Sequence, residues 1–325
     1  MPTEPSLALN FVYVVIAAGM LWKGADWLVE AATRIARSLG VSDVVIGLTV
    51  VAFGTSAPEF AVTVYGALMG EADIPVANVV GSNVFNLGFI LGGCAALIGM
   101  KTTPTIVYRD GSVLIAVTML LYFFLGDGIF SKVEGAILFS LLVCYIAFLF
   151  LRRGGDAELV DDEEIAEGKA EPVDYAWLVV GLLMVLGGGH LMLTGAVAIA
   201  TYFGMPQWAI GVTIVAAATS LPEFATSMMA IYRGRHGLSV GNLIGSDLFN
   251  LLGVLGVAGM LGPLTPDAAA QSSVVVLVCM VTMVVAFMRT GWKVSRAEGA
   301  FLVALNLIRW YFELTGGGGS APAGH

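Results

Sequence analysis

Apolar positions run through the chain in long stretches separated by short polar segments, a pattern that suits helices crossing a bilayer rather than a half-wetted soluble core. At about 20 apolar residues per crossing, it predicts helices at 9–38, 43–69, 75–99, 105–125, 130–151, 174–203, 207–232, 239–262, 268–288 and 296–315. The expected fold class is an all-α integral membrane protein with about ten transmembrane helices. The first ten residues carry Glu4 and no Lys or Arg, so the basic start of a cleavable signal peptide is missing and the first apolar run reads as a span. Residues 316–325, GGGGSAPAGH, read as a flexible tail or an added linker.

A longer period lies over this one. Ile46 to Gly92 aligns with Ile210 to Gly256 at a constant offset of 164 without a gap, and 21 of the 47 positions are identical. The shared pieces are GTSAPEF (54–60) against ATSLPEF (218–224), and NVVGSNVFNLGFILG (78–92) against NLIGSDLFNLLGVLG (242–256). The first copy begins in the second span and its partner in the seventh, so an odd number of crossings separates them and the copies run in opposite directions. Two inverted five-helix repeats are expected, 1–152 and 174–315, joined by a linker at 153–173. Transporters built this way hold their cargo near the midplane, on interrupted helices.

Composition sharpens the picture. With 58% apolar and 12% charged residues and a mean hydropathy of +0.89, the chain is no soluble enzyme and no secreted disulfide scaffold. A net charge of −9 argues against nucleic acid as a partner. Seven of those nine charges come from Asp156 to Glu171, where eight acids face Lys169 alone, and this stretch reads as a solvated connector. With the N-terminus outside, inner loops hold twelve Lys and Arg residues and outer loops only Lys132, so a multi-pass inner-membrane protein with both termini outside is expected. Cys94, Cys144 and Cys279 lie in apolar runs with no CxxC spacing and read as buried, reduced thiols.

Glu59 and Glu223 fall near the middles of their spans, where an ionised side chain costs about 2.5–3.5 kcal/mol. No Lys or Arg lies near that depth in spans two, three, seven or eight, so a bound cation is the natural neutraliser; protonated packing glutamates are the plain alternative. Pro58 and Pro222 each remove a helical N–H, which frees the carbonyls of Gly54 and Ala218. Thr55 with Glu59, and Thr219 with Glu223, are four residues apart and share a helix face; Ser56 and Ser220 add hydroxyls. Ser82 with Asn86, and Ser246 with Asn250, repeat that spacing in the second motif, next to Gly81 and Gly245. Helix-packing hydrogen bonds would account for any one of these singly. Together they form a hard-oxygen set suited to Ca²⁺ or Na⁺ and hold no soft ligand for zinc or copper.

GTSAPEF with GSNVFN, and ATSLPEF with GSDLFN, resemble the two alpha-repeats of the cation/Ca²⁺ exchanger superfamily, nearest its prokaryotic-type sodium/calcium exchanger branch. The resemblance is detailed over about 43–100 and 207–262. It implies a Na⁺/Ca²⁺ antiporter working by alternating access, electrogenic and K⁺-independent, with Ca²⁺ and Na⁺ as transported ions, no cofactor and no enzymatic chemistry. It implies Glu59 and Glu223 as the central Ca²⁺ acids. Thr55, Ser56, Thr219, Ser220, Ser82 and Ser246, with the carbonyls of Ala52 and Ala216, are implied to line the Ca²⁺ and flanking Na⁺ pockets, and Asn86 and Asn250 to form the polar pair at the middle. K⁺-dependent relatives carry an acid at the position of Asn250. Asp247, where the first half has Asn83, departs from the pattern between halves. The family's first and sixth helices slide during transport, which implicates Lys23, Asp26 and Glu30 in that motion; their spacing also suits a local ion pair.

A Ca²⁺/H⁺ antiporter of the same superfamily is the alternative reading, since those relatives carry an acid where this chain has NVVGSN and NLIGSD. A cation channel is a more distant one. Neither GxGD nor GxSG occurs as an intramembrane hydrolase would require. Beyond the lipid bilayer and the ions, the sequence shows no obligate protein partner.

Overall fold

A computed structural model describes residues 7–70, 73–151, 170–205, 214, 216–266 and 268–316. The described residues are almost entirely helical. In order the helices are α1 (Leu7–Leu39), α2 (Asp43–Thr55), α3 (Ala57–Met69), α4 (Ile74–Ile98), α5 (Ile106–Asp127), α6 (Lys132–Leu151), α7 (Pro172–Tyr202), α8 (Ala216–Thr219), α9 (Leu221–Tyr232), α10 (His236–Leu261), α11 (Ala268–Arg289) and α12 (Arg296–Gly316). Among the described residues seven helices are long and apolar enough to cross a bilayer, and α2 with α3, bent by 52°, makes an eighth. Of the other two predicted spans, the seventh begins within 206–213 and 215, outside the described residues. The tenth is α12, 21 residues long but carrying Arg296, Glu298, Arg309 and Glu313. The acidic stretch 152–169 also lies outside the described residues.

The offset of 164 governs far more of the molecule than the 47 aligned residues. Strands β1 (Met100–Lys101) and β2 (Lys293–Val294) pair antiparallel, with Met100 opposite Val294; Phe130 bridges Leu264 in the same antiparallel sense. Shifting Met100 and Phe130 by 164 gives Leu264 and Val294, so these are one contact made twice. Likewise Gly135 of α6 presses on the Gly256 carbonyl of α10, while Gly299 of α12 presses on the Gly92 carbonyl of α4. Each half therefore lays its last helix on the other half. Ser131 with Glu134 and Ser295 with Glu298 form matching capping boxes at the starts of α6 and α12.

Helices α1 and α7 form a pair of their own. At 33 and 31 residues they are about 50 and 46 Å long, more than a hydrocarbon slab of about 30 Å, so they must tilt or protrude. They run antiparallel: Asn10 meets Gly195, Ala17 meets Gly188, Gly24 meets Gly181, and Arg34 bonds Asp174 at 3.0 Å. Equivalent helices pointing in opposite directions are what inverted repeats require. The contacts recur at seven-residue intervals along both helices, and small residues let the backbones approach, as in membrane helix pairs generally. Asp26 of α1 accepts from Lys23 at 2.9 Å and from Arg233 at the end of α9, while Glu30 pairs with Arg34.

One end of the molecule collects the basic residues expected inside: Lys101 and Lys293 on paired strands, Arg235 at 3.7 Å from Asp43, and Arg34 on Asp174. The cysteines need a correction. Cys94 is buried, but Cys144 and Cys279 are exposed on the protein's outer surface, all three as free thiols. In a membrane protein an apolar run is hidden from water by lipid, so apolar surroundings in sequence do not imply burial in protein.

The α1–α7 seam tolerates little added volume. A Cβ on Gly24 would stand 2.8 Å from the Met184 Cβ and 2.9 Å from the Gly181 carbonyl, whereas one on Gly19 of the same helix meets nothing within 4 Å. Gly24→Val is therefore expected to cost about 1–3 kcal/mol, read as a drop of several degrees in Tm in detergent. Gly19→Val is expected to leave Tm unlowered.

Candidate cation-exchange site

The two PEF segments break their helices at the same place. A proline ring collides with the carbonyl four residues back, so the helix cannot run through Pro58 or Pro222. The chain departs from helical geometry at Ser56 (φ −80°, ψ 12°) and Ser220 (φ −92°, ψ 8°), and a new helix starts one residue later. Proline then sits in the first turn, where its missing N–H costs nothing. Glu59 and Glu223 also fall in that first turn, where free N–H groups and the helix dipole favour negative charge.

The second motifs alter their helices differently. Immediately beyond GSNVF and within GSDLFN, α4 and α10 widen to i to i+5 turns over Asn86–Leu91 and Phe249–Val254. Such widened turns shift the ladder by one residue and cluster at functional sites. Asn86 and Asn250 stand in them, fully buried.

The halves meet through reciprocal hydrogen bonds between these pieces. The Ser56 hydroxyl donates to Glu223 Oε1 at 3.0 Å, and the Ser220 hydroxyl to Glu59 Oε1 at 3.4 Å. Asn86 Nδ2 donates to Asp247 Oδ1 at 3.1 Å, and Asn250 Nδ2 to Asn83 Oδ1 at 3.1 Å. Within each half Asn78 Nδ2 ties the Glu59 carbonyl (3.2 Å) to Thr63 (2.9 Å), and Asn242 Nδ2 ties the Glu223 carbonyl (3.5 Å) to Ser227 (2.9 Å). Glu59, Glu223, Ser56, Ser220 and Ser246 are buried, and no Lys or Arg pairs with either glutamate among the described residues. Glu59 Oε2, Glu223 Oε2, Asn86 Oδ1, Asn250 Oδ1 and Ser246 Oγ have no protein hydrogen-bond partner. These oxygens are the donor set a hard cation takes.

Not every residue expected at the site stands equally free. Thr55 is buried, but its hydroxyl donates to the Ala52 carbonyl (3.3 Å) and to Asn242 Oδ1 (3.3 Å). The Ala52 carbonyl takes the Ser56 N–H at 3.0 Å and shares the one Thr55 hydroxyl proton with Asn242 Oδ1. Ser82 turns back on its own helix, to the Asn78 carbonyl at 2.6 Å. Thr219 closes the short helix α8 that Ala216 opens. A Cβ on Gly245 would stand 2.6 Å from the Leu48 Cα, so only glycine allows this close crossing; Val212, the counterpart of Leu48 for Gly81, lies outside the described residues. His190 is exposed and His236 bonds the Lys101 amide at 3.4 Å, both apart from the site. Among the described residues no three acidic, His or Cys side chains converge as a metal centre; the set is two carboxylates supplemented by neutral oxygens.

A family model for sodium/calcium exchanger proteins matches residues 9–151 and 173–314. This chain belongs to that family. The putative antiporter CaxA of Alkalimonas amylolytica is 37% identical over 303 residues, which is 90% of this chain and 94% of the relative. The sodium/calcium exchanger MaX1 of Methanosarcina acetivorans is 29% identical over 353 residues, covering 94% and 99%. The solved structure of the sodium-calcium exchanger NCX_Mj, soaked with 2.5 mM Na⁺ and 1 mM Sr²⁺, superposes with a TM-score of 0.82 at 30% identity, covering 93% of this chain and 98% of that one.

Within this sodium/calcium exchanger family member, Asn78, Asn242, Thr63, Ser227 and Asn83 are polar site neighbours that sequence reasoning passed over. A signal was present for four of them: the alignment keeps Asn at 78 and 242, and a hydroxyl at 63 and 227. The unequal serine bonds carry their own test. Hydrogen bonds to charged groups contribute about 1.5–3 kcal/mol, so Ser56→Ala is expected to raise the Ca²⁺ concentration for half-maximal transport about tenfold or more. The 3.4 Å bond of Ser220 is near the limit of useful length, and Ser220→Ala is expected to have the smaller effect, under about tenfold. Titrating ⁴⁵Ca²⁺ uptake in both variants checks the ranking.

Proposed function

We propose that this protein is an antiporter that exchanges Ca²⁺ for Na⁺ by alternating access, electrogenically and without K⁺, with no covalent chemistry and no resident cofactor. The observation that carries this reading is the pair Glu59 and Glu223, buried at the meeting of the two halves, each held by the serine of the opposite break and neither paired with a base. Two carboxylates neutralise one Ca²⁺. The same oxygens, with the hydroxyl and amide oxygens around them, serve Na⁺ in adjoining pockets, so the two ions compete for shared charge. Loading more than two Na⁺ for one Ca²⁺ makes the exchange electrogenic.

Alternating access finds support in the long α1–α7 pair, which packs along a smooth small-residue seam and touches the second broken helix through Asp26 and Arg233. The basic end formed by Lys101, Lys293 and Arg235 supports an orientation in the inner membrane with that end inside and both termini outside. Ligand roles for Thr55, Thr219, Ser82, Ala52 and Ala216 belong to this proposal as well; the Thr55 and Ser82 hydroxyls donate their protons to protein acceptors and keep oxygen lone pairs for an ion.

The test uses purified protein in sealed vesicles preloaded with Na⁺, following ⁴⁵Ca²⁺ uptake on dilution into Na⁺-free medium, with an imposed pH gradient as a parallel arm. Uptake driven by Na⁺ is expected; uptake driven only by the pH gradient would identify a Ca²⁺/H⁺ antiporter instead. Glu59→Gln and Glu223→Gln each remove one of the two charges balancing Ca²⁺ and are expected to cut uptake to about 1% of wild type or less. Retained flux in either variant sinks the assigned site. Asn250→Asp adds an acid at the widened turn of α10 and is expected to introduce K⁺ sensitivity into the uptake, whereas identical Na⁺ and K⁺ responses in variant and parent count against K⁺ independence resting on this amide.

A further inference from the structure

Asp247 is a third carboxylate in this region, and nothing in the exchange of two charges for one Ca²⁺ employs it. It is fully buried in α10. Its Oδ1 accepts from Asn86 Nδ2 at 3.1 Å and its main-chain carbonyl accepts from Asn83 Nδ2 at 3.0 Å, but Oδ2 has no hydrogen-bond partner. The repeat gives it no counterpart, because Asn83 stands at the equivalent place. No Lys or Arg pairs with it among the described residues.

A buried carboxylate inside a membrane helix must be neutralised by a proton or a cation. The surrounding amides are turned to favour a cation. Asn86 and Asn250 both spend N–H groups on protein acceptors, Asp247 and Asn83 respectively, and both leave their carbonyl oxygens unpartnered. Asp247 Oδ2 accepts no N–H or O–H from the protein, and the amide oxygens left free beside it are cation donors. Asp247 does not close on Glu59 and Glu223 as a three-carboxylate centre, so its charge serves a neighbouring position rather than the same ion.

We propose that Asp247 is the counter-charge for a Na⁺ bound beside the Glu59–Glu223 pair, with Asp247 Oδ2 and the amide oxygens of Asn86 and Asn250 as the donors nearest that ion. The inference rests on the Na⁺/Ca²⁺ exchange reading and deepens it: two acids answer to Ca²⁺, and the third answers to a monovalent ion. Asymmetry between the halves then has a function, since one half carries the extra charge and the other an amide.

The experiment compares wild type, Asp247→Asn, and the double variant Asp247→Asn with Asn250→Asp, which moves the carboxylate one helical turn along the same face. Each is reconstituted in vesicles, and ⁴⁵Ca²⁺ uptake is titrated separately against internal Na⁺ and external Ca²⁺. In Asp247→Asn the Na⁺ concentration for half-maximal effect is expected to rise about tenfold or more, and the Na⁺ Hill coefficient to fall. The Ca²⁺ half-saturation is expected to move less than about threefold. The double variant is expected to recover part of the Na⁺ dependence, and it also serves should the single variant fail to fold. Unchanged Na⁺ dependence in Asp247→Asn overturns the inference, as does an equal rise in the Na⁺ and Ca²⁺ values. Wild-type vesicles separate the two levels: absence of Na⁺-driven uptake there overturns the exchange reading and this inference with it, whereas normal wild-type exchange beside an unchanged Asp247→Asn overturns this inference alone.

Discussion

Charge without a partner inside a membrane is the constraint on which this structure turns. Glu59 and Glu223 are buried where the two halves meet, among hydroxyls and amides and paired with no basic side chain among the described residues. Removing a carboxylate from water is expensive, and hydrogen bonds from one serine apiece offset only part of it. The fold supplies two further aids: each glutamate sits in the first turn of a helix, within reach of unpaired N–H groups and the positive end of the dipole. What remains uncompensated is an attraction for cations, which is the property an ion carrier needs.

Holding two such helix starts against each other requires both halves to be incomplete alone. α6 packs on α10 and α12 on α4 through glycines that admit the neighbouring backbone, Gly135 on Gly256 and Gly299 on Gly92. The paired Met100–Val294 and Phe130–Leu264 contacts close the same exchange at the two ends. Because each half lends its last helix to the other, the central serine and glutamate contacts are anchored from both sides. By contrast α1 and α7 meet mainly each other.

The polar network also shows what the amides near the glutamates contribute. An amide can spend its N–H on the protein and leave its oxygen unpartnered; Asn86 and Asn250 do this in the widened turns of α4 and α10. Asn78 and Asn242 spend theirs on the carbonyls of the glutamates themselves, which sets the start of each broken helix against the helix that follows.

Much of this was legible in the amino-acid sequence. Apolar runs of span length place the helices because a bilayer demands a fixed length of apolar helix. The matched motifs imply inversion because an odd number of crossings lies between them, and Pro58 and Pro222 mark the breaks because a proline ring cannot share space with the carbonyl four residues back. The serine–glutamate pairing across the halves was not legible, since sequence spacing reports neighbours on one helix and these partners are more than 160 residues apart. Neither was the exchange of the last helices: outside the motifs the halves have diverged, and only the packed backbone keeps the offset of 164. The contact of Thr55 with Asn242 of the other half, the engagement of Ser82 and the Ala52 carbonyl within their own helices, and the outward positions of Cys144 and Cys279, were likewise decided by the tertiary structure. Composition and periodicity determine which segments enter the membrane and where they break; which side chains are left facing an ion depends on what else each atom can reach, and that is a property of the assembled fold.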